Sequence, residues 1–186
     1  MQPQANAQPL QTVIPTVNAV LDAYASALGR DAVAYRNHAY RVANLCLALA
    51  PTDSAAREKI AVAAVFHDLG IWTNHTFDYL APSAALARGH LASCGHADWI
   101  PEVDAMIADH HKITPARSGR GPLAEPFRRA DWIDVSRGLR TFGVPRPFIA
   151  SVFATWPSAG FHWRLAELAG DWFLKHPLMP LPMVRL

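Results

Sequence analysis

Of four side chains in this sequence able to bind a metal, His38 and Asp131 fall where the surrounding pattern calls for apolar residues, and the neighbours His67 and Asp68 close a helix that is apolar on nearly every side. An unpaired carboxylate inside a protein is strongly disfavoured, and a buried imidazole needs a hydrogen-bond partner. For any one of the four, a backbone carbonyl or a neighbouring donor would suffice. Together they have a simpler common partner, a divalent cation, because neutral imidazole and ionised carboxylate are ordinary metal ligands.

Helices are the elements that must position these groups. Proline and glycine divide the chain into helix-length pieces, and within them apolar residues recur at three- and four-residue steps. The expected fold class is therefore all-α, a helical bundle forming one domain over residues 1–186. Helices are expected over 14–29, 31–50, 54–69, 82–94, 101–111, 124–141, 145–155 and 160–175, with Pro82 and Pro101 at helix starts, where no backbone N–H is needed. In the second of these, Ala34, His38, Val42, Leu45 and Leu49 form one stripe, which puts His38 on the core face. The third is apolar on nearly every side from Ala61 to Phe66 and closes on His67-Asp68 before Gly70. Phe127, Asp131, Val135 and Leu139 follow four-residue steps, so Asp131 also replaces an apolar residue. His90 follows Leu86 by four, and His110 follows Met106 by four and Ile107 by three, aiming both inward.

Composition excludes several function classes. The formal charge of +2 is mild and the seventeen basic residues form no run, so no nucleic-acid polymer is expected as a partner. No apolar stretch approaches membrane-spanning length, and Met1 to Gln11 lacks the features of a secretory signal, so a cytoplasmic location without membrane attachment is expected. Cys46 and Cys94 both fall in helical pattern and suggest no disulfide framework. Ile113 to Leu123, rich in proline, glycine and arginine, reads as a surface loop. The C-terminal part, 141–186, adds helices and an apolar tail, Pro177 to Leu186, that would pack on the domain or on a second subunit of a homodimer.

The quoted residues match a known pattern. Asn37-His38 in a helix, Phe66-His67-Asp68-Leu69-Gly70 and Arg129-Ala130-Asp131, in that order, resemble the HD superfamily of metal-dependent phosphohydrolases over about residues 30–140. The resemblance implies a helical bundle in which His38, His67, Asp68 and Asp131 bind one divalent ion of iron, manganese, zinc, nickel or cobalt. In some branches a second ion is held by intervening histidines, here His90, His110 and His111, and bridged by Asp68. The cyclic-dinucleotide phosphodiesterase branch is not matched, since no Gly-Tyr-Pro follows His110-His111-Lys112. Phe77-Asp78 stands where a branch similar to cyanamide hydratases carries an aromatic-acidic pair.

The activity implied is hydrolysis of a small phosphorylated compound, a nucleotide being one candidate, by water activated on the ion. Asp68 is the expected catalytic carboxylate, and Lys112 is positioned in sequence to meet an anionic substrate, with Arg117 and Arg120 as steering groups. Lys112 also has a plain reading, as a cation closing its helix. Three other functions share the ligand pattern: a diiron oxygenase similar to myo-inositol oxygenase, a hydratase, and a non-catalytic regulatory module. His75, His96, His162 and His176 fall on no clear stripe, and a local zinc site from His90, Cys94 and His96 is a minor alternative. The six tryptophans are read as packing residues.

Overall fold

The computed structural model describes residues 9–50, 53–117, 119–178 and 182–183, and among these the regular structure is helical throughout. Residues 1–8 of the N-terminal segment, Ser118 of the surface loop and most of the C-terminal tail lie outside the described residues. Within that tail, Met183 is buried. No helix among the described residues is long and apolar enough to cross a membrane.

α1 (Pro15–Ala23) opens on a proline, which costs its first turn no hydrogen bond. The 14–29 pattern breaks at Tyr24, after which α2 (Ala25–Leu28) is a single turn ending at Gly29. α3 (Ala32–Leu49) is the central element, with Tyr35, His38, Arg41, Val42 and Leu45 wholly buried. α4 (Ser54–Phe66) is capped by Asp53, whose carboxylate accepts the Ala56 N–H at 2.7 Å. The chain then turns through His67-Asp68-Leu69 into α5 (Gly70–Thr73), so the helix expected over 54–69 is shorter and followed by a bend. α6 (Leu80–Ser93), α7 (Ile100–Asp109), α8 (Ala124–Val135), α9 (Arg146–Thr155) and α10 (Phe161–Lys175) complete the order.

Four of these helices form a closed ring. α3 packs on α4, α4 on α7, α7 on α8, and α8 back on α3 over the largest of the helix–helix contacts. α1 lies across α3 and α4, α6 lies along α4 and α7, and α9 and α10 cover α3. The ring is where the buried polar residues collect.

One stripe is corrected. α8 ends at Val135 rather than continuing to 141, because Arg137, at φ +54°, takes up the left-handed conformation, so that its N–H donates to the Asp134 carbonyl at 2.9 Å and the Gly138 N–H to the Ile133 carbonyl at 2.8 Å. Val135 and Leu139 are therefore exposed, and the inward face runs through Phe127, Ala130, Asp131 and Asp134. Asp131 and Phe127 are on the core side as expected, but Asp134 rather than Val135 continues that face.

Gly70 is fixed by close approach. A Cβ there would lie 2.8 Å from the Tyr79 carbonyl oxygen and 2.9 Å from Ser83 Oγ. The Gly70 N–H donates to that same hydroxyl at 3.0 Å. The turn carrying His67-Asp68 is thus seated directly on the start of α6.

Candidate metal centre

His67 and His110 are placed by the same device. Each follows the end of a helix, α4 or α7, where the last carbonyls have no helical partner. His67 Nδ1 donates to the Ala64 carbonyl at 2.9 Å and His110 Nδ1 to the Ile107 carbonyl at 2.7 Å. A carbonyl can only accept, so each ring carries its proton on Nδ1 and presents Nε2 inward. Two helix C-termini also bring the negative ends of their dipoles toward the same point, which favours a cation.

His38 reaches the centre from the middle of α3. Its Nδ1 donates to Asp134 Oδ2 at 2.7 Å, and its Nε2 stands 2.9 Å from His67 Nε2, 3.5 Å from Asp68 Oδ2 and 4.0 Å from Asp131 Oδ1. His67 Nε2 lies 3.6 Å and 3.7 Å from the same two oxygens. A four-membered group, His38, His67, Asp68 and Asp131, is thereby assembled with one inward atom from each.

The other oxygens of the two carboxylates face a second pair. Asp68 Oδ1 is 3.3 Å from His110 Nε2, and Asp131 Oδ2 is 3.5 Å from His111 Nδ1. Asp68 and Asp131 therefore each turn one oxygen to either half. The groups His38, His67, Asp68 and Asp68, His110, His111 both have ligand atoms within 4.8 Å of one another, the spacing of groups able to share an ion.

His90 is not brought to this centre. The inward face of α6 is Leu80, Ser83, Ala84, Ala87 and Leu91, and His90 lies one residue, about 100°, off that stripe. Its ring packs 5.3 Å from Phe66 beside α1, so the sharing of a face with Leu86 pointed it at the wrong neighbour. The local group His90, Cys94 and His96 does not assemble either: His90 Nε2 is 3.9 Å from Cys94 Sγ, while His96 stacks on Trp99. Lys112 Nζ is 4.0 Å from Asp109 Oδ1, and Arg120 pairs with the same carboxylate at 3.0 Å. Asp78 is exposed, so the acid of the Phe77-Asp78 pair points away from the buried centre.

Electrostatics follow from burial and crowding. Burial alone would lower His38, but its hydrogen bonds to Asp134 and Asp68 outweigh that and lift it to about 9. Burial opposes the charge on Asp68, yet His67, His110 and His38 hold its carboxyl well below the usual carboxylate range. Asp131 is lowered in the same way by His67, His111 and His110. Burial and the neighbouring His110 push His111 down to about 4, which keeps it neutral at pH 7. Its side chain is 22% exposed, whereas those of His38 and His67 are fully enclosed, so it marks the way in from solvent. A cavity of about 300 Å³ between α5 and α10, lined by Trp72, Phe77, Leu168 and Trp172 among others, has none of the cluster's residues in its walls.

A surrounding layer was not anticipated from the sequence. Asp134, wholly buried, accepts from His38 and from the Arg41 guanidinium, including a 3.0 Å bond from Arg41 Nη2. Arg41 also donates to the Trp156 and Pro157 carbonyls at 3.1 and 3.2 Å. His162 joins the layer by donating from Nε2 to the Asp134 carbonyl at 3.0 Å. Arg41 is three residues after His38 and Asp134 three after Asp131, so the i, i+3 neighbour rule was the available signal. Tyr79, also buried, places its hydroxyl 2.6 Å from His111 Nε2, and no periodicity marked it.

These residues fit a cation. Asp68 Oδ1, Asp131 Oδ1 and His110 Nε2 are buried without a hydrogen-bond partner, although buried polar atoms are almost always satisfied. Arg41 cancels Asp134, so the two lowered carboxylates face only imidazole nitrogens, which can serve as ligands together with them once His38 gives up its extra proton to a bound cation. A family model for the HD domain matches residues 35–136, a span that contains His38, His67, Asp68, His110, His111, Asp131 and Asp134. The chain belongs to the HD-domain family. No curated protein and no solved structure matched it. A buried His/Asp cluster able to hold metal ions is thus a property of this HD domain.

Proposed function

We propose that this HD domain is a metal-dependent phosphohydrolase that cleaves a small phosphorylated compound, with a nucleotide among the candidate substrates. The observation that carries the reading is a set of three buried, partnerless atoms inside the ring: Asp68 Oδ1 and His110 Nε2, 3.3 Å apart in one half, and Asp131 Oδ1, 3.7 Å from His67 Nε2 in the other. His38, His67, Asp68 and Asp131 would hold a first divalent ion, and Asp68, Asp131, His110 and His111 a second. Ions in such a nitrogen–oxygen cage supply an acidified water and an electrophilic contact for a phosphoryl oxygen.

The chain's own residues do the rest. Asp134 and Arg41 hold His38 rigidly, and the Ala64 and Ile107 carbonyls fix the tautomers of His67 and His110. Asp68, kept ionised and central to both halves, is the side chain on which the reading depends most. Two divalent ions against two carboxylates would leave net positive charge, which favours an anionic substrate over a neutral one. Lys112, near the partly open His111, is the nearest sequence neighbour able to meet that anion, provided it leaves Asp109.

The test is to reconstitute the protein with manganese, iron, zinc, nickel or cobalt and follow phosphate release from a panel of phosphomonoesters and phosphodiesters. Turnover with at least one, abolished in Asp68→Ala, is expected. A fully loaded protein that releases phosphate from none, or an Asp68→Ala protein as active as the parent, refutes the proposal.

A further inference from the structure

The group that the ligand set does not absorb is the phenol of Tyr79. It is buried at the start of α6, 2% exposed, and its oxygen lies 2.6 Å from His111 Nε2. Its placement is fixed by backbone rather than by chance packing. The Tyr79 carbonyl accepts the Ser83 N–H at 2.8 Å, Ser83 Oγ accepts from Gly70 N–H at 3.0 Å, and Gly70 follows Asp68 by two residues. Phe77 packs edge-on against the Tyr79 ring at 6.0 Å. One short chain of contacts therefore ties the phenol to the Asp68 turn on one side and to His111 on the other.

His111 differs from its neighbour in one respect. His67 and His110 have backbone carbonyls to accept their Nδ1 protons, whereas His111 Nδ1 faces the Asp131 carboxylate at 3.5 Å. For His111 to offer Nδ1 as a ligand, its proton must sit on Nε2, and an acceptor must stand there. Tyr79 oxygen is that acceptor by distance.

We propose that Tyr79 is a positioning residue for the second ion: by accepting the His111 Nε2–H it keeps Nδ1 bare and aimed at the half formed by Asp68 Oδ1, His110 Nε2 and Asp131 Oδ2. This rests on the metal-centre reading above, but it concerns the second half alone. Loss of an orienting partner of this kind lowers metal affinity by about 10–100-fold. The first half, His38, His67, Asp68 and Asp131, has its own supports in Asp134 and Ala64 and does not depend on the phenol.

The experiment is a calorimetric titration of the metal-stripped full chain with Mn(II), with bound metal counted by elemental analysis and metal–metal coupling followed by electron paramagnetic resonance. The wild-type chain should take up two ions and show a coupled signal. Tyr79→Phe, which keeps the ring, should retain the first ion at wild-type affinity, bind the second about 10–100-fold more weakly, and lose the coupling at low metal. His111→Ala should weaken the second ion at least as much, and the double variant no more than His111→Ala alone. Wild-type affinity for both ions in Tyr79→Phe overturns the proposal, as does a wild-type chain that binds only one. Equal weakening of both ions in Tyr79→Phe overturns it too, since the phenol would then be supporting the cluster as a whole. A wild-type chain that binds no ion refutes the metal centre itself, a different outcome from any of these.

Discussion

Asp134→Asn is the sharpest perturbation of the layer around the centre. The native carboxylate accepts from three donors, His38 Nδ1–H, Arg41 Nε–H and Arg41 Nη2–H. An asparagine offers one oxygen and turns the other position into an N–H2 donor, so donor must face donor at either His38 or Arg41. The Arg41 guanidinium is left without its counter-ion in a wholly buried setting. Breaking a buried pair by removing one partner costs about 3–5 kcal/mol. The Trp156 and Pro157 carbonyls still receive Arg41 Nη1, which points to the low end, about 3 kcal/mol. For a chain of this length each kcal/mol moves the midpoint by about 2–4 °C, so the melting temperature should fall by roughly 6–12 °C. Metal affinity at the first half should drop about 10–100-fold as His38 loses its orienting acceptor. Thermal denaturation of the metal-stripped protein and a metal titration read the two effects separately. A variant that melts within 2 °C of the parent and binds metal as tightly would refute the argument that Asp134 both neutralises Arg41 and fixes His38.

Gly70→Ala must push the start of α6 away from the His67-Asp68 turn, since the added carbon would sit 2.8 Å from the Tyr79 carbonyl; about 1–3 kcal/mol of destabilisation should appear in urea unfolding, and an unchanged midpoint would contradict the close contact. Loading the stripped protein with metal at 100 times the dissociation constant should stabilise it by about 2.7 kcal/mol per site and raise its melting temperature by roughly 5–10 °C, whereas a chelator should reverse the shift. Burial opposes ionisation of Glu125, but Arg128, the Ala116 N–H and Arg129 hold its carboxyl down to about 2. Its folded pKa is depressed, so its stabilising contribution is present above pH 4.5 and is lost as pH falls toward 2; Glu125→Gln should flatten the acid limb of stability in that window, as measured by urea unfolding at stepped pH. Lys112→Ala, with metal content unchanged, should lower kcat/KM for a phosphoester by about tenfold if the ammonium meets the substrate, and equal turnover would leave Lys112 as a helix-ending cation.

Much of this centre was legible in the sequence because each main ligand interrupts an apolar stripe or closes an apolar helix. His38 lies among Ala34, Val42 and Leu45 on α3, and His67-Asp68 terminates a helix whose residues from Ile60 to Phe66 are all buried. The helices themselves follow from proline and glycine punctuation, with ends moved where a local bond decided them, as the left-handed Arg137 did for α8. What could not be read was which of two adjacent faces points inward. On α6 the choice between the face of Leu86 and that of Leu91 depends on where α1 and α7 pack, and it sent His90 away from the centre. Polar partners were harder still. Asp134 and Arg41 are charged residues that look like solvated helix positions until the other is brought across the ring, and Tyr79 becomes part of the site only through the Gly70 contact.

The central claim is that His38, His67, Asp68 and Asp131, on three separate helical segments, enclose a divalent ion. Anomalous diffraction from crystals grown with manganese locates such an ion without reference to any substrate. Strong anomalous density is expected between His38 Nε2, His67 Nε2, Asp68 Oδ2 and Asp131 Oδ1 and absent from Asp68→Ala crystals; manganese bound only elsewhere, or a centre bridged by protons and water alone, would contradict the account.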